Sequence, residues 1–298
     1  MERKQTGQMG YRYEKYNEND ICVTLPEKVS GQPVTIIGAK AFLSCRQVEQ
    51  LVLPDTLEQV EDWAFAHMKG LKEILLPAKD ICFGRKVFLG CDSLMKVTLT
   101  HQGLPIQGQY RGIPYFIASV FRLSLETIEK GLTELERAGD AEGQWRWLAV
   151  YDEALTVYLG RPDDYDFEPA FIGWFDVEDV DDQKQGHMAE QIKKKIALAF
   201  QRLRYPEGLS EDTGKLLGDY LVKKVPGQVL ELMREPCSEY GREVAYFKIW
   251  QQVGGFDVFS PKKLLEQLEE ADPEVRGFLM ECELEDKERE DFFGGLEL

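Results

Sequence analysis

One segment of this 298-residue chain repeats itself every 23 residues. The dipeptide Ala41-Phe42 returns as Ala64-Phe65 and again as Val87-Phe88. Ile37, Val60 and Phe83 share one phase, and Cys45, Met68 and Cys91 another. Val48, Leu71 and Leu94 form a third column, Leu51, Ile74 and Val97 a fourth, and Leu53, Leu76 and Leu99 a fifth. Apolar residues at fixed phases of a short period require stacked units whose cores merge, because a unit this small cannot bury its own apolar face. The last two columns are spaced by two, as a strand with one buried face demands. That alternation turns Gln50, Val52, Glu73, Leu75, Lys96 and Thr98 to the opposite face. Apolar Val52 and Leu75 among polar and charged neighbours make this strip the candidate partner-binding surface.

The spacing L-x-x-L-x-L recurs as Val48-x-x-Leu51-x-Leu53, Leu71-x-x-Ile74-x-Leu76 and Leu94-x-x-Val97-x-Leu99. With its I-G-x-x-A-F-x-x-C half and the Leu-Pro after the strand (Leu53-Pro54, Leu76-Pro77), the unit resembles the BspA-like leucine-rich repeats of bacteria over residues 21–100. The resemblance implies a solenoid that binds rather than catalyses. Two positions depart from the pattern. Glu61 stands where Gly38 and Gly84 keep a glycine, and Thr100 stands where the last proline should be, so the array is expected to end there. The first copy reads as a cap: Pro26 precedes Pro54 by 28 residues, with Gly31-Gln32-Pro33 in the extra loop. Tyr11, Tyr13, Ile21 and Val23 are expected to form short strands over the open end, since terminal repeats must be atypical to stay soluble. Tyr115 to Leu123, a short apolar stretch, is expected to close the other end.

Beyond Thr100 the period vanishes and the pattern becomes helical. Ser124 caps a stretch carrying Leu125, Ile128, Leu132 and Leu135, stopped at Gly139. Leu148, Tyr151, Leu155 and Tyr158 mark a second helix up to Gly160-Arg161-Pro162, and Met188, Ile192, Ile196, Phe200 and Leu203 a third, ended by Pro206. Shorter helices start at Ser210, Pro226, Ser260-Pro261 and Asp272-Pro273, with a stop at Gly254-Gly255. From Glu281 to Leu298 the chain is charge-dense and expected to fray. The fold class is therefore α+β: a short solenoid module with its cap over 1–105, and an acidic all-α domain of short helix hairpins over 106–298. Charge divides in the same place. Residues 1–105 carry 13 basic and 13 acidic side chains, so the whole formal charge of −17 falls in residues 106–298. An acidic half repels phosphate and anionic lipid, which argues against nucleic-acid and membrane-surface partners.

Six cysteines without a C-x-x-C pair make no zinc or disulfide signature. Cys45 and Cys91 lie two units apart, about 10 Å at strand spacing, and read as small core residues. One stretch, residues 163–182, holds nine acids, and no Lys or Arg intervenes between Arg161 and Lys184. An EF-hand register fails in it: from Asp176 the fifth position is Val180, and from Asp181 the twelfth is Ile192. It is expected to be a connecting loop with anchored aromatics and solvated acids, and no metal is expected. No nucleotide-binding, nucleophile-elbow or zinc-protease motif occurs, and no cofactor or catalytic residue is assigned. Cys237 or Cys282 with His187 is the weak catalytic alternative. The N-terminal residues lack an apolar signal region and no stretch approaches a membrane span, so a cytoplasmic location is expected. Together these features point to a non-catalytic scaffold that binds an unidentified protein through its repeat sheet. The alternative is an enzyme with its active site in residues 106–298 and the repeat as targeting module.

Overall fold

The 23-residue period folds as a β-solenoid of about four turns over residues 11–100, followed among the described residues by nine α-helices. The computed structural model describes residues 10–17, 20–79, 81–106, 113–123, 141–165, 167, 178–235, 239–268 and 272–294. The chain divides into two compact units, Met1–Leu155 and Thr156–Leu298. The first unit thus takes in residues 106–155, which composition groups with the acidic half.

Two sheets build the solenoid. In the first, β2 (Cys22–Thr24), β5 (Gln50–Val52), β7 (Glu73–Pro77) and β9 (Lys96–His101) run parallel. Their register follows the period: Leu51 pairs with Ile74 and Ile74 with Val97, while the cap strand enters 28 residues earlier, Val23 against Leu51. In the second, β1 (Tyr11–Tyr13), β4 (Gln32–Ile37), β6 (Gln59–Val60) and β8 (Cys82–Phe83) are also parallel, with Ile37, Val60 and Phe83 in line. Ile37, Leu51, Val60, Phe65, Met68, Leu71, Ile74 and Val97 are all fully buried.

One stretch expected to be a loop is a hairpin, and a second hairpin follows β9. Gly31-Gln32-Pro33 belongs to β3 (Lys28–Val29) and β4, joined by Ser30 and Gly31 at φ 51° and 81°. After β9, Gln102 and Gly103 at φ 52° and 73° turn the chain into β10 (Leu104–Pro105), antiparallel to β9. Two consecutive left-handed residues between antiparallel strands are what a two-residue hairpin needs. The β10 strand, ending in proline, covers the last edge of the parallel array where Thr100 replaces the repeat's proline.

Both ends of the stack are closed by aromatic side chains. Phe42, Phe65 and Phe88 follow one another at 5.7 and 5.4 Å between ring centroids. Tyr16 stacks on Phe42 at 5.0 Å, and Phe121 stacks on Phe88 at 4.8 Å. Phe121 belongs to α1 (Ile113–Leu123), the helix formed by the apolar stretch expected to close the array. Of the expected cap residues, Tyr13 stacks on Phe42 and Val23 is buried, whereas the Ile21 side chain is 60% exposed.

The helices follow their start signals. Ser210 Oγ accepts the Thr213 amide (3.1 Å) before α4 (Glu211–Asp219), and Ser260 Oγ accepts that of Lys263 before α8 (Pro261–Gln267). Pro226 opens α5 (Pro226–Arg234), the short α6 (Glu239–Arg242) follows, and Gly254 at φ 83° stops α7 (Val244–Gln252). In α2 (Ala141–Gly160), Leu148, Tyr151 and Leu155 are buried as the spacing requires. Two expectations are corrected. The helix α3 (Glu178–Arg204) begins within the acidic segment, so Glu178 to Asp182 are helical rather than loop; acids suit a first turn because the unpaired amides there carry partial positive charge. The last helix, α9 (Pro273–Gly294), runs through the charge-dense tail instead of fraying at Glu281, since Glu, Lys and Arg are strong helix formers. The helix expected after Ser124 and the aromatic part of the acidic segment, residues 168–177, lie outside the described residues.

Candidate functional site

Parallel pairing in register converts single outward residues into rows. Gln50, Glu73 and Lys96 stand side by side, and Val52, Leu75 and Thr98 form the adjacent row. The β2 strand extends both, adding exposed Cys22 beside Gln50 and exposed Thr24 beside Val52. Glu73 ties the first row together. Its carboxylate accepts Gln50 Nε2 at 3.0 Å and Thr98 Oγ1 at 2.7 Å, and pairs with Lys96 Nζ at 2.8 Å. Partial burial pushes the Glu73 carboxyl up, but the bonds from Lys96, Thr98 and Gln50 outweigh it and hold it below the ordinary glutamate value. Val52 and Leu75 are half-buried, beside this polar row. Thr98 is only 7% exposed, so it orients Glu73 rather than presenting itself to a partner.

A further row precedes these. Glu49 N donates to Ile21 O (2.7 Å), Lys72 N to Glu49 O (2.8 Å) and Met95 N to Lys72 O (2.9 Å), aligning four residues across the strands. Lys72 and Glu49 form an ion pair at 2.8 Å in its middle, while Ile21 and Met95 at its ends are 60% and 62% exposed. Sequence reasoning missed this row, having assigned Ile21 to the cap. The available signal was Met95, an apolar residue outside every buried column.

The remaining candidates are engaged elsewhere. Cys91 is buried, its Sγ donates to Phe65 O (3.1 Å), and burial pushes its thiol up to about 12. Of the two cysteines read as core residues, Cys91 is buried and Cys45 half-buried, while Cys22 and Cys82 are exposed. His187 lies 3.2 Å from Tyr165 O and packs against Phe167, whereas the Cys282 sulfur accepts Gln251 Nε2 at 3.7 Å. Cys237 lies outside the described residues. Among the described residues no group of three or more potential ligands is placed to hold a metal ion, and no helix is long and apolar enough to cross a membrane.

Residues 20–110 match the BspA type leucine rich repeat region, in six copies. No curated protein matches the chain. Among solved structures, the chain is similar to a leucine-rich repeat protein of T. pallidum, with 24% identity and a TM-score of 0.24. That similarity covers 33% of this chain and 43% of the other, so the chain spans less than half of that protein's length. The repeat assignment therefore covers the solenoid and leaves the helical unit without a family.

Proposed function

We propose that this protein is a non-catalytic interaction module whose parallel sheet receives a protein partner on the strip of Gln50, Val52, Glu73, Leu75 and Lys96. Leucine-rich repeats generally mediate protein interactions, and residues 20–110 carry them. The observation that carries the reading is the Glu73 cluster. A charged side chain held by three neighbours has already lost its rotamer freedom, so a partner that binds beside it need not order it again. The half-buried Val52 and Leu75 supply apolar contact next to that polar row, the mixture that interfaces use.

Leu75→Arg tests this. A partner captured by the full chain is expected to bind the variant at least tenfold more weakly, about 1.4 kcal/mol, while the melting temperature stays unchanged. Equal affinity would remove the strip from the interface. A large fall in melting temperature would mean that Leu75 serves the solenoid itself.

A further inference from the structure

We infer that the helical unit holds a binding site for an amphipathic carboxylate, an apolar body ending in a single anionic group, in a cleft of about 470 Å³ beside α4. The volume lies in the ordinary range of small-ligand sites, about 300–1,000 Å³. One wall comes from the end of α2, with Leu159 and Gly160. The other comes from α4 and the π-helical turn that continues it, Tyr220–Lys224. Along that wall Asp212, Lys215, Leu216, Asp219, Tyr220, Lys223 and Lys224 are spaced by threes and fours, which places them on one helical stripe.

The chemistry of the cleft is divided. Leu159 and Tyr220 are buried and Leu216 is 40% exposed, so the body of the cleft is apolar. Lys215, Lys223 and Lys224 are exposed and rim it. Asp219 holds Lys223 at 2.8 Å, whereas Lys215 and Lys224 have no ion-pair partner among the described residues. Burial, with Asp163 and Tyr158 nearby, holds the Tyr220 hydroxyl above its ordinary value, so it stays protonated and able to donate. Residues 106–298 carry all of the chain's net negative charge, and against that background the lining of Lys215, Lys223 and Lys224 with Asp212 and Asp219 leaves one net positive charge on the cleft.

A carboxylate fits better than a phosphate. The one net positive charge of the lining balances a singly charged carboxylate but not a dianionic phosphate. The helix end facing the cleft is also the C-terminal end of α2, whose free carbonyls disfavour a multiply charged head group. Long lysine stems lie along apolar surface with their ammonium groups in water, which suits an anion whose body is buried and whose head is wet.

Calorimetric titration of the full chain with decanoate, and with 1-decanol as the neutral analogue, tests the site. Saturable one-site binding of decanoate is expected, at least tenfold weaker in Lys215→Glu/Lys224→Glu and retained in Lys215→Arg/Lys224→Arg. Gly160→Phe is expected to abolish binding by filling the cleft, and it should fold, because a Cβ at Gly160 meets no atom within 4 Å. Absence of saturable binding, equal binding of 1-decanol, or decanoate binding unaffected by both Gly160→Phe and the charge reversal would each overturn the proposal.

Discussion

Ser44, His67 and Gly90 occupy one column of the repeat and share a left-handed backbone, at φ 61°, 59° and 69°. Lys40, Trp63 and Lys86 form a second such column at 60°, 61° and 54°. Each turn of the solenoid therefore bends at two positions that favour glycine, yet only Gly90 uses one. The strain is held because the same residues bond to the next turn: Ser44 N donates to Ala66 O (2.9 Å) and His67 N to Leu89 O (2.7 Å). A left-handed residue with a Cβ costs about 1–2 kcal/mol, partly offset by the greater unfolded-state freedom of glycine. Ser44→Gly is thus expected to stabilise by about 0.5–1 kcal/mol in a denaturant melt; a loss would show that the exposed Ser44 side chain contributes more than its strain. Glu61 answers the departure from glycine in the column of Gly38 and Gly84. A Cβ at Gly84 would lie 2.4 Å from Asp62 Oδ1, whereas Glu61 reaches the preceding turn, accepting Ala39 N at 2.9 Å and the two terminal guanidinium nitrogens of Arg12 at 2.8 and 2.7 Å. Glu73 has a titration consequence. Because its folded value is depressed, its contribution is complete above the unfolded value of 4.5 and is lost as pH falls through the folded one. The stability gap between wild type and Glu73→Gln is expected to be constant above that range and to narrow below it, read from melts across acidic pH.

At the scale of elements, the aromatic ladder explains why a short array can stand. Phe42, Phe65 and Phe88 come from the repeat itself, but the terminal rings, Tyr16 and Phe121, come from outside it. Helix α1 thus supplies a substitute for the next repeat's phenylalanine. Phe121 also packs edge-on to Phe83 at 5.9 Å and is only 3% exposed. Phe121→Ala is expected to cost about 3–5 kcal/mol, because it leaves a cavity and uncovers Phe88. Chemical unfolding of the full chain measures this, and a loss below about 1 kcal/mol would mean that α1 is not the cap. The helical elements rest on different devices. Arg202, fully buried, donates to the carbonyls of Tyr205 and Glu207 and so fastens the turn after α3. Buried Lys195 binds Asp163 Oδ1 and Arg161 O, both at 2.6 Å, which satisfies a charge that burial would otherwise make costly.

At the scale of the molecule, the two compact units are built on different principles, a periodic stack and an aperiodic helical core around Trp250, Tyr246 and Phe200. The acidic charge of the second has a simple expected consequence. Its carboxylates are partly paired with lysines, as in Asp164 with Lys184 at 2.9 Å and Asp163 with Lys195, and the acidic segment lacks the ligand spacing of a calcium loop. Millimolar calcium or magnesium is expected to leave the melting temperature and the Trp174 emission unchanged. A functional site would add about 2.7 kcal/mol at a hundredfold excess over its dissociation constant, and a saturable shift removed by Asp179→Ala with Asp181→Ala would establish one.

What the sequence determined by itself was everything that recurs. The columns Ile37/Val60/Phe83 and Leu51/Ile74/Val97 pair in register as their spacing requires, the cap strand enters with its longer offset, and Gln50, Glu73 and Lys96 share a face. Local helix signals at Ser210, Pro226, Gly254 and Ser260 were equally legible, because capping and turn chemistry act within a few residues. Contacts that occur once were decided by the tertiary structure. The burial of Thr98, the closing ring of Phe121 and the lysine-rimmed cleft each depend on which distant segment arrives beside them. A period reports only what every turn shares; what happens once, at an end or between helices, is set by long-range register and packing and leaves no repeating trace.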